Sequence, residues 1–208
     1  MKKIFSILVI LLLSVSLISG CVKEDNEQTD KSETTNKEEK DIEKNTSKNE
    51  NDEGETKDDA EIREGIFVGN KAYDFLLLDR EGNEISLSSL KGKVVFLNFW
   101  ASWCGPCKME MPHMQKVYEE YKDKDVVILA VNITASEKNG IEGVNNFLNE
   151  NKYTFPVLYD KDGSVSEKYR ISAIPTTYII NRDGIIVNFV RRSMSEEMIK
   201  QQIEAGMK

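Results

Sequence analysis

Of 208 residues, three are cysteine, one is histidine, two are tryptophan and four are proline. The shortage of cysteine and histidine argues against a zinc protein. A structural zinc site takes four ligands, and here there is one Cys-x-x-Cys pair, Cys104 and Cys107, one histidine and no second pair. Nor is there a glycine-rich phosphate cradle, a basic footprint for nucleic acid or an internal repeat. Long apolar runs are missing too. The longest, Ile4 to Ile18, has 15 residues, short of the ~20 needed for a comfortable membrane span. Positive charge is in deficit, with a net charge of −8.

The apolar run follows Lys2 and Lys3 and leads to the small residues Ser19 and Gly20, which is the layout of a secretory signal over residues 1–20. Residues 22–60 carry 15 acidic residues and 7 lysines, a net −8 that accounts for the whole imbalance; residues 61–208 are close to neutral. Only Val22, Ile42 and Ala60 in this stretch are apolar. It cannot bury enough surface to offset its ordering entropy, so residues 21–60 are expected to be a disordered acidic linker with a reach of roughly 35 Å. The remaining 148 residues suffice for one domain. Behind a secretory signal, its cysteines sit where disulfides persist.

Within residues 61–208, "AYDFLLLDREGNEISLSSL" reads as two strands around a turn. "KVVFLNFW" and "VVILAVNI" are near-continuous apolar runs, as strands buried on both faces require. Between them "KMEMPHMQKVYEEYKDK" is helical, with Pro112 inside it. Residues 143–151 form a second amphipathic segment, and "FPVLYD" a short strand. Ser164 and Glu167 have capping-box spacing for a short helix. "TTYIINRDGIIVNFV" is a hairpin, and Ser195 caps a last helix. The order predicts an α/β fold, a central mixed sheet flanked by helices.

Cys104-Gly105-Pro106-Cys107 falls where a buried strand hands over to a helix. Unpaired amides and the helix dipole favour a thiolate on Cys104, and a thiolate is the attacking species in disulfide exchange. One turn later, Cys107 can resolve the mixed disulfide. Cys104 is expected to be exposed and Cys107 more buried. A purely structural bridge closing so small a ring would gain little loop entropy.

"FWASWCGPCK" resembles the thioredoxin superfamily, with Pro112 at its helix-kinking proline and "ISAIPTTYII" at its cis-proline loop. The resemblance implies a thioredoxin-like fold, a cis Pro175, and a substrate site lined by Trp103, Ile174, Pro175 and Thr176. Within the superfamily the chain is most similar to the TlpA/ResA-like membrane-tethered extracytoplasmic oxidoreductases. That group carries an N-terminal hairpin extension and an inserted helix and strand. Its acidic residue near the cysteines matches Glu110, which shares a helix face with Cys107 and would be a semi-buried proton acceptor tuning the pair. Asn98 stands where thioredoxin has an aspartate. "ISGC" resembles a lipobox, which implies lipidation of Cys21.

These likenesses imply a lipid-anchored thiol-disulfide oxidoreductase on the outer face of the bacterial cytoplasmic membrane. It would be monomeric and free of metal or other cofactor beyond its Cys104–Cys107 disulfide. The expected direction is reduction of disulfides in exported proteins such as apocytochrome c, with electrons from a membrane thiol donor. Spore-envelope clients, and the opposite role of disulfide-forming oxidant, are the alternatives. A peroxiredoxin-type peroxidase shares the opening hairpin, but Ala101 occupies the position of its usual threonine. A tethered binding module with incidental cysteines would retain its function without Cys104. Trp100 is expected in the core, Trp103 exposed as a partner platform, His113 on the helix surface, Lys108 solvated, and at least two of Met109, Met111 and Met114 in the core.

Overall fold

The computed structural model describes residues 62–208. The signal at 1–20, Cys21 and the linker to residue 60 lie outside the described residues. Two short parallel strands, β1 (Glu64–Gly65) and β2 (Lys71–Ala72), precede a hairpin of β3 (Leu76–Asp79) and β4 (Glu84–Ser86). The Asp79 carboxylate closes that hairpin by accepting from the amides of Glu81 and Asn83 at 2.9 and 2.8 Å. Then come β5 (Val94–Trp100), α1 (Gly105–Tyr121), β6 (Val126–Asn132), α2 (Gly140–Glu150), β7 (Val157–Tyr159), α3 (Ser164–Lys168), β8 (Thr176–Ile180), β9 (Ile186–Val190) and α4 (Glu196–Gly206).

Seven strands form one mixed sheet in the order β4-β3-β7-β6-β5-β8-β9. β5 pairs parallel with β6 and antiparallel with β8, and β6 pairs parallel with β7. All seven residues of β5 are buried, as its unbroken apolar run demands. Val94, Phe96 and Trp100 point to one face, with Met111, Met114 and Val117 of α1, Val144 and Leu148 of α2 and Ile199 and Ile203 of α4. Val95, Leu97 and Phe99 point to the other, with Leu77 of β3, Val165 of α3, Tyr169 and Tyr178. Two apolar layers thus clamp the central strand, and its C-terminal end is the rigid base on which the cysteines stand.

Three expectations need correction. α2 begins at Gly140, three residues earlier than the apolar pattern indicated. Ser164 does not cap α3. The Asp160 carboxylate, fully buried, accepts from the amides of Val165 and Ser166 at 3.1 and 2.8 Å, while Asp162 takes the Ser164 amide at 3.0 Å. A carboxylate is the stronger acceptor, and Gly163 at φ +76° brings the chain round so that Asp160 reaches the helix start. His113 is half-buried, and its Nδ1 and the Nε1 of Trp100 are buried without a hydrogen-bond partner among the described residues. Met111 and Met114 fill the core whereas Met109 is exposed.

Replacing Asp160 by alanine strips two backbone amides of their partner. The expected result is a loss of about 2–3 kcal/mol, read as a lower urea midpoint at unchanged slope; Ser164→Ala should change the midpoint little.

Candidate active site

Cys104 is the N-cap of α1. Its Sγ accepts from the Cys107 amide at 3.2 Å, and Pro106 occupies the first turn, where a missing N–H costs nothing. Cys104 and Cys107 are joined in a disulfide, their Cα atoms 5.3 Å apart. Cys104 is only 4% exposed, against the expectation of an exposed sulfur. What covers it is the loop before β8: the Ile174 carbonyl lies 3.6 Å from Cys104 Sγ. The Ile174–Pro175 peptide is cis, and Thr176 turns its hydroxyl back to the Ala173 carbonyl at 2.7 Å. Gly105, Pro106 and Lys108 face solvent, as do Trp103, 58% exposed, and Met109, 63% exposed. The disulfide therefore sits just beneath a partly apolar surface.

Behind the disulfide lies a buried polar cluster. Glu110 is 1% exposed, deeper than the semi-buried position expected of it. Its Oε1 accepts from the Met194 amide at 3.1 Å, its Oε2 from Asn98 Nδ2 at 3.2 Å. Asn98 Nδ2 also donates to Thr177 Oγ1 at 2.9 Å. Burial pushes the Glu110 carboxyl up to about 7, against the opposing pull of the Met194 amide and the Asn98 side chain. A carboxyl poised near neutrality, one helical turn after Cys107 on the same buried face, is suited to exchange protons there. Among the described residues no group of three or more His, Cys, Asp or Glu side chains is placed to hold a metal ion.

Several contributors were not legible in the sequence. Met194 reaches Glu110 from 84 positions away through a backbone amide, which leaves no side-chain signal. Thr177 lies in the cis-proline strand, but only the pairing of Asn98 with Thr177 across β5 and β8 shows that it faces Asn98. Asn98 was visible only as a lost acceptor; here it is a donor.

The AhpC/TSA family model matches residues 68–189. The chain is 44% identical over 137 residues to the thiol-disulfide oxidoreductase ResA of Bacillus subtilis (strain 168), covering 66% of this chain and 74% of that protein. The chain belongs to the ResA-like thiol-disulfide oxidoreductases of the thioredoxin fold. Solved structures agree. StoA from Bacillus subtilis superposes with a TM-score of 0.57 at 35% identity, over 62% of this chain and 96% of that one. The exposed lipoprotein thioredoxin Etrx1 of Streptococcus pneumoniae strain TIGR4 gives 0.57 at 30%, over 64% and 98%. The protein is accordingly a thiol-disulfide oxidoreductase.

In the oxidised protein the cysteines do not titrate and add nothing to the pH dependence that Glu110 contributes. Its carboxyl holds a proton more tightly folded than unfolded. Its stabilising effect is therefore complete below the ordinary value of 4.5 and is lost as the pH rises through about 7. Chemical denaturation should show stability falling by on the order of 3 kcal/mol between pH 5 and 8. Glu110→Gln should flatten that slope. An unchanged slope in the variant would mean that another group carries it.

Proposed function

We propose that this protein is a lipid-anchored oxidoreductase that reduces disulfides in exported proteins on the outer face of the cytoplasmic membrane. The observation that carries the reading is Cys104 Sγ at the N-terminus of α1, 3.6 Å from the Ile174 carbonyl, with the buried Glu110 carboxyl behind Cys107. In the dithiol form the helix N-terminus stabilises a Cys104 thiolate. It attacks one sulfur of the substrate disulfide; a Cys104–substrate bond forms and the other substrate sulfur leaves as a thiolate. Cys107 gives its proton to Glu110 and attacks Cys104 Sγ, which releases the second substrate thiolate and forms the Cys104–Cys107 disulfide. Two electrons pass to the substrate, and a membrane dithiol returns two to the protein. The extended substrate segment pairs with the backbone of Ile174 beside the exposed Trp103; Pro175 and Thr176, expected to line the site, are both buried and shape that backbone from beneath.

Cys21 carries the acyl chains and residues 21–60 hold the domain away from the bilayer. The lipobox-like "ISGC" and the likeness to a lipoprotein thioredoxin support this. Apocytochrome c is the client class that the ResA resemblance favours, with the protein acting as a monomer and without a cofactor.

Two measurements test the reading. The equilibrium reduction potential, followed by tryptophan fluorescence in thiol buffers, should lie near or below roughly −250 mV; above roughly −150 mV the protein would be a disulfide-forming oxidant. Cys21→Ala should abolish incorporation of a labelled fatty acid and shift the protein from membranes into the medium. Retention of the label would remove the anchor from the proposal.

A further inference from the structure

Three residues, Ala101 to Trp103, connect β5 to Cys104. The Cys104 amide closes a turn on the Ala101 carbonyl at 3.2 Å, and the Ile133 amide donates to the carbonyl of Trp100 at 3.0 Å. The remaining polar contacts of this loop all run to one segment between β6 and α2. The Ser102 amide donates to Glu137 Oε1 at 2.6 Å and the Ser102 hydroxyl to Glu137 Oε2. Trp103 Nε1 donates to the Ser136 carbonyl at 3.1 Å. Asn132 Nδ2, at the end of β6, donates to Glu137 Oε1 at 2.8 Å and so fixes the carboxylate from behind. The segment is itself held by the Ala135 amide on the Asp160 carbonyl, 3.2 Å.

Three donors thus converge on one part-buried carboxylate, and hydrogen bonds to a carboxylate are the stronger kind. Two of them come from Ser102 and clamp the loop, whose other side-chain anchor is Trp103 Nε1 on the neighbouring Ser136 carbonyl. That loop carries both the nucleophile and the exposed indole beside it. We propose that Glu137 is a positioning residue for disulfide exchange. Through Ser102 it fixes the Ala101–Trp103 loop, so that Trp103 and Cys104 face an incoming disulfide in one arrangement against Ile174. Glu137 makes no contact with the sulfurs and acts only through the loop. The proposal rests on the reading of Trp103 and Cys104 as the substrate-facing residues. It makes the chain between β6 and α2 part of the active site.

The test is Glu137→Ala in the purified full-length protein, with Glu137→Gln and Ser102→Ala alongside. In the oxidised form, the Ser102 amide should exchange with solvent at least about tenfold faster in Glu137→Ala, with protection across β5 and β6 retained. In the reduced form, kcat/KM for a disulfide-bonded peptide should fall about tenfold. Alkylation of Cys104 by iodoacetamide, which needs no docking, should change by less than about twofold, because the start of α1 sets the thiolate. Glu137→Gln, which keeps one acceptor oxygen, should fall between. The effects of Ser102→Ala and Glu137→Ala should be less than additive, as for residues acting through one contact. Unchanged Ser102 exchange, full peptide turnover, or a loss of protection spread evenly over β5 and β6 would each overturn the proposal. If Glu137→Ala does not fold, Glu137→Gln and Ser102→Ala carry the same readouts. A wild-type protein that turns over no disulfide peptide would instead overturn the reading of the site itself; the exchange experiment would still decide whether Glu137 holds the loop.

Discussion

Burial of β5 on both faces is the constraint from which the rest of the structure follows. Seven consecutive residues are buried, none more than 2% exposed, so two apolar layers must be built around them, and β6 and β8 must satisfy their backbone on either side. A strand held this way has little freedom. Where it ends, at Trp100, the chain leaves the core at a fixed point, and Cys104 follows four residues later at the start of α1. The Cys104 sulfur gets its position from the sheet and its electrostatic setting from the helix, and neither element could supply both.

The same burial decides the chemistry of the polar residues it encloses. Asn98 sits on the α1 side of β5 and cannot reach water, so its amide hydrogens must go to protein acceptors. Thr177 takes one contact and Glu110 another. Glu110 also accepts the Met194 amide. In most settings two such donors would hold a carboxyl low, but the desolvation of a group 1% exposed outweighs them. The net result is an acid near neutrality. An aspartate in place of Asn98 would bring a second negative charge to Oε2 and remove a donor. An amide there leaves Glu110 as the single buried acid on this face among the described residues.

How much of this was legible depends on the range of the contact. The succession of elements along the chain from β3 onward, the two hairpins and the strand-to-helix handover at Cys104 are written in local periodicity and turn residues, and the structure reproduces them; the short β1–β2 pair and the spatial order of the strands are not. The shared face of Cys107 and Glu110 is also local, a matter of three-residue spacing on a helix. The depth of Glu110 was not legible, because its partners come from elsewhere in the fold: Met194, just before α4, and Asn98 of β5. Cys104 was expected in solvent for the same reason: the covering Ile174 carbonyl is 70 residues away. Ser164 shows the reverse failure. Its spacing to Glu167 fitted a capping box, but the Asp162 carboxylate takes the Ser164 amide, the Gly163 carbonyl takes that of Glu167, and the buried Asp160 takes the two between.

Cover over Cys104 and exposure around it belong to one design. With Cys104 only 4% exposed, a partner cannot surround the sulfur; it can meet only the edge left between the start of α1 and the loop of Ile174. Next to Cys104 in the chain stand Trp103, more than half exposed, and Gly105 and Pro106, which present little side chain. A disulfide carried on an extended, partly apolar segment can lie flat across such a surface, burying the indole as its sulfur comes into line. A folded domain with a recessed disulfide cannot approach as closely. On the proposed function, this access geometry would favour clients whose disulfide lies in an unfolded or exposed segment. That selection needs no side chain to read their sequence.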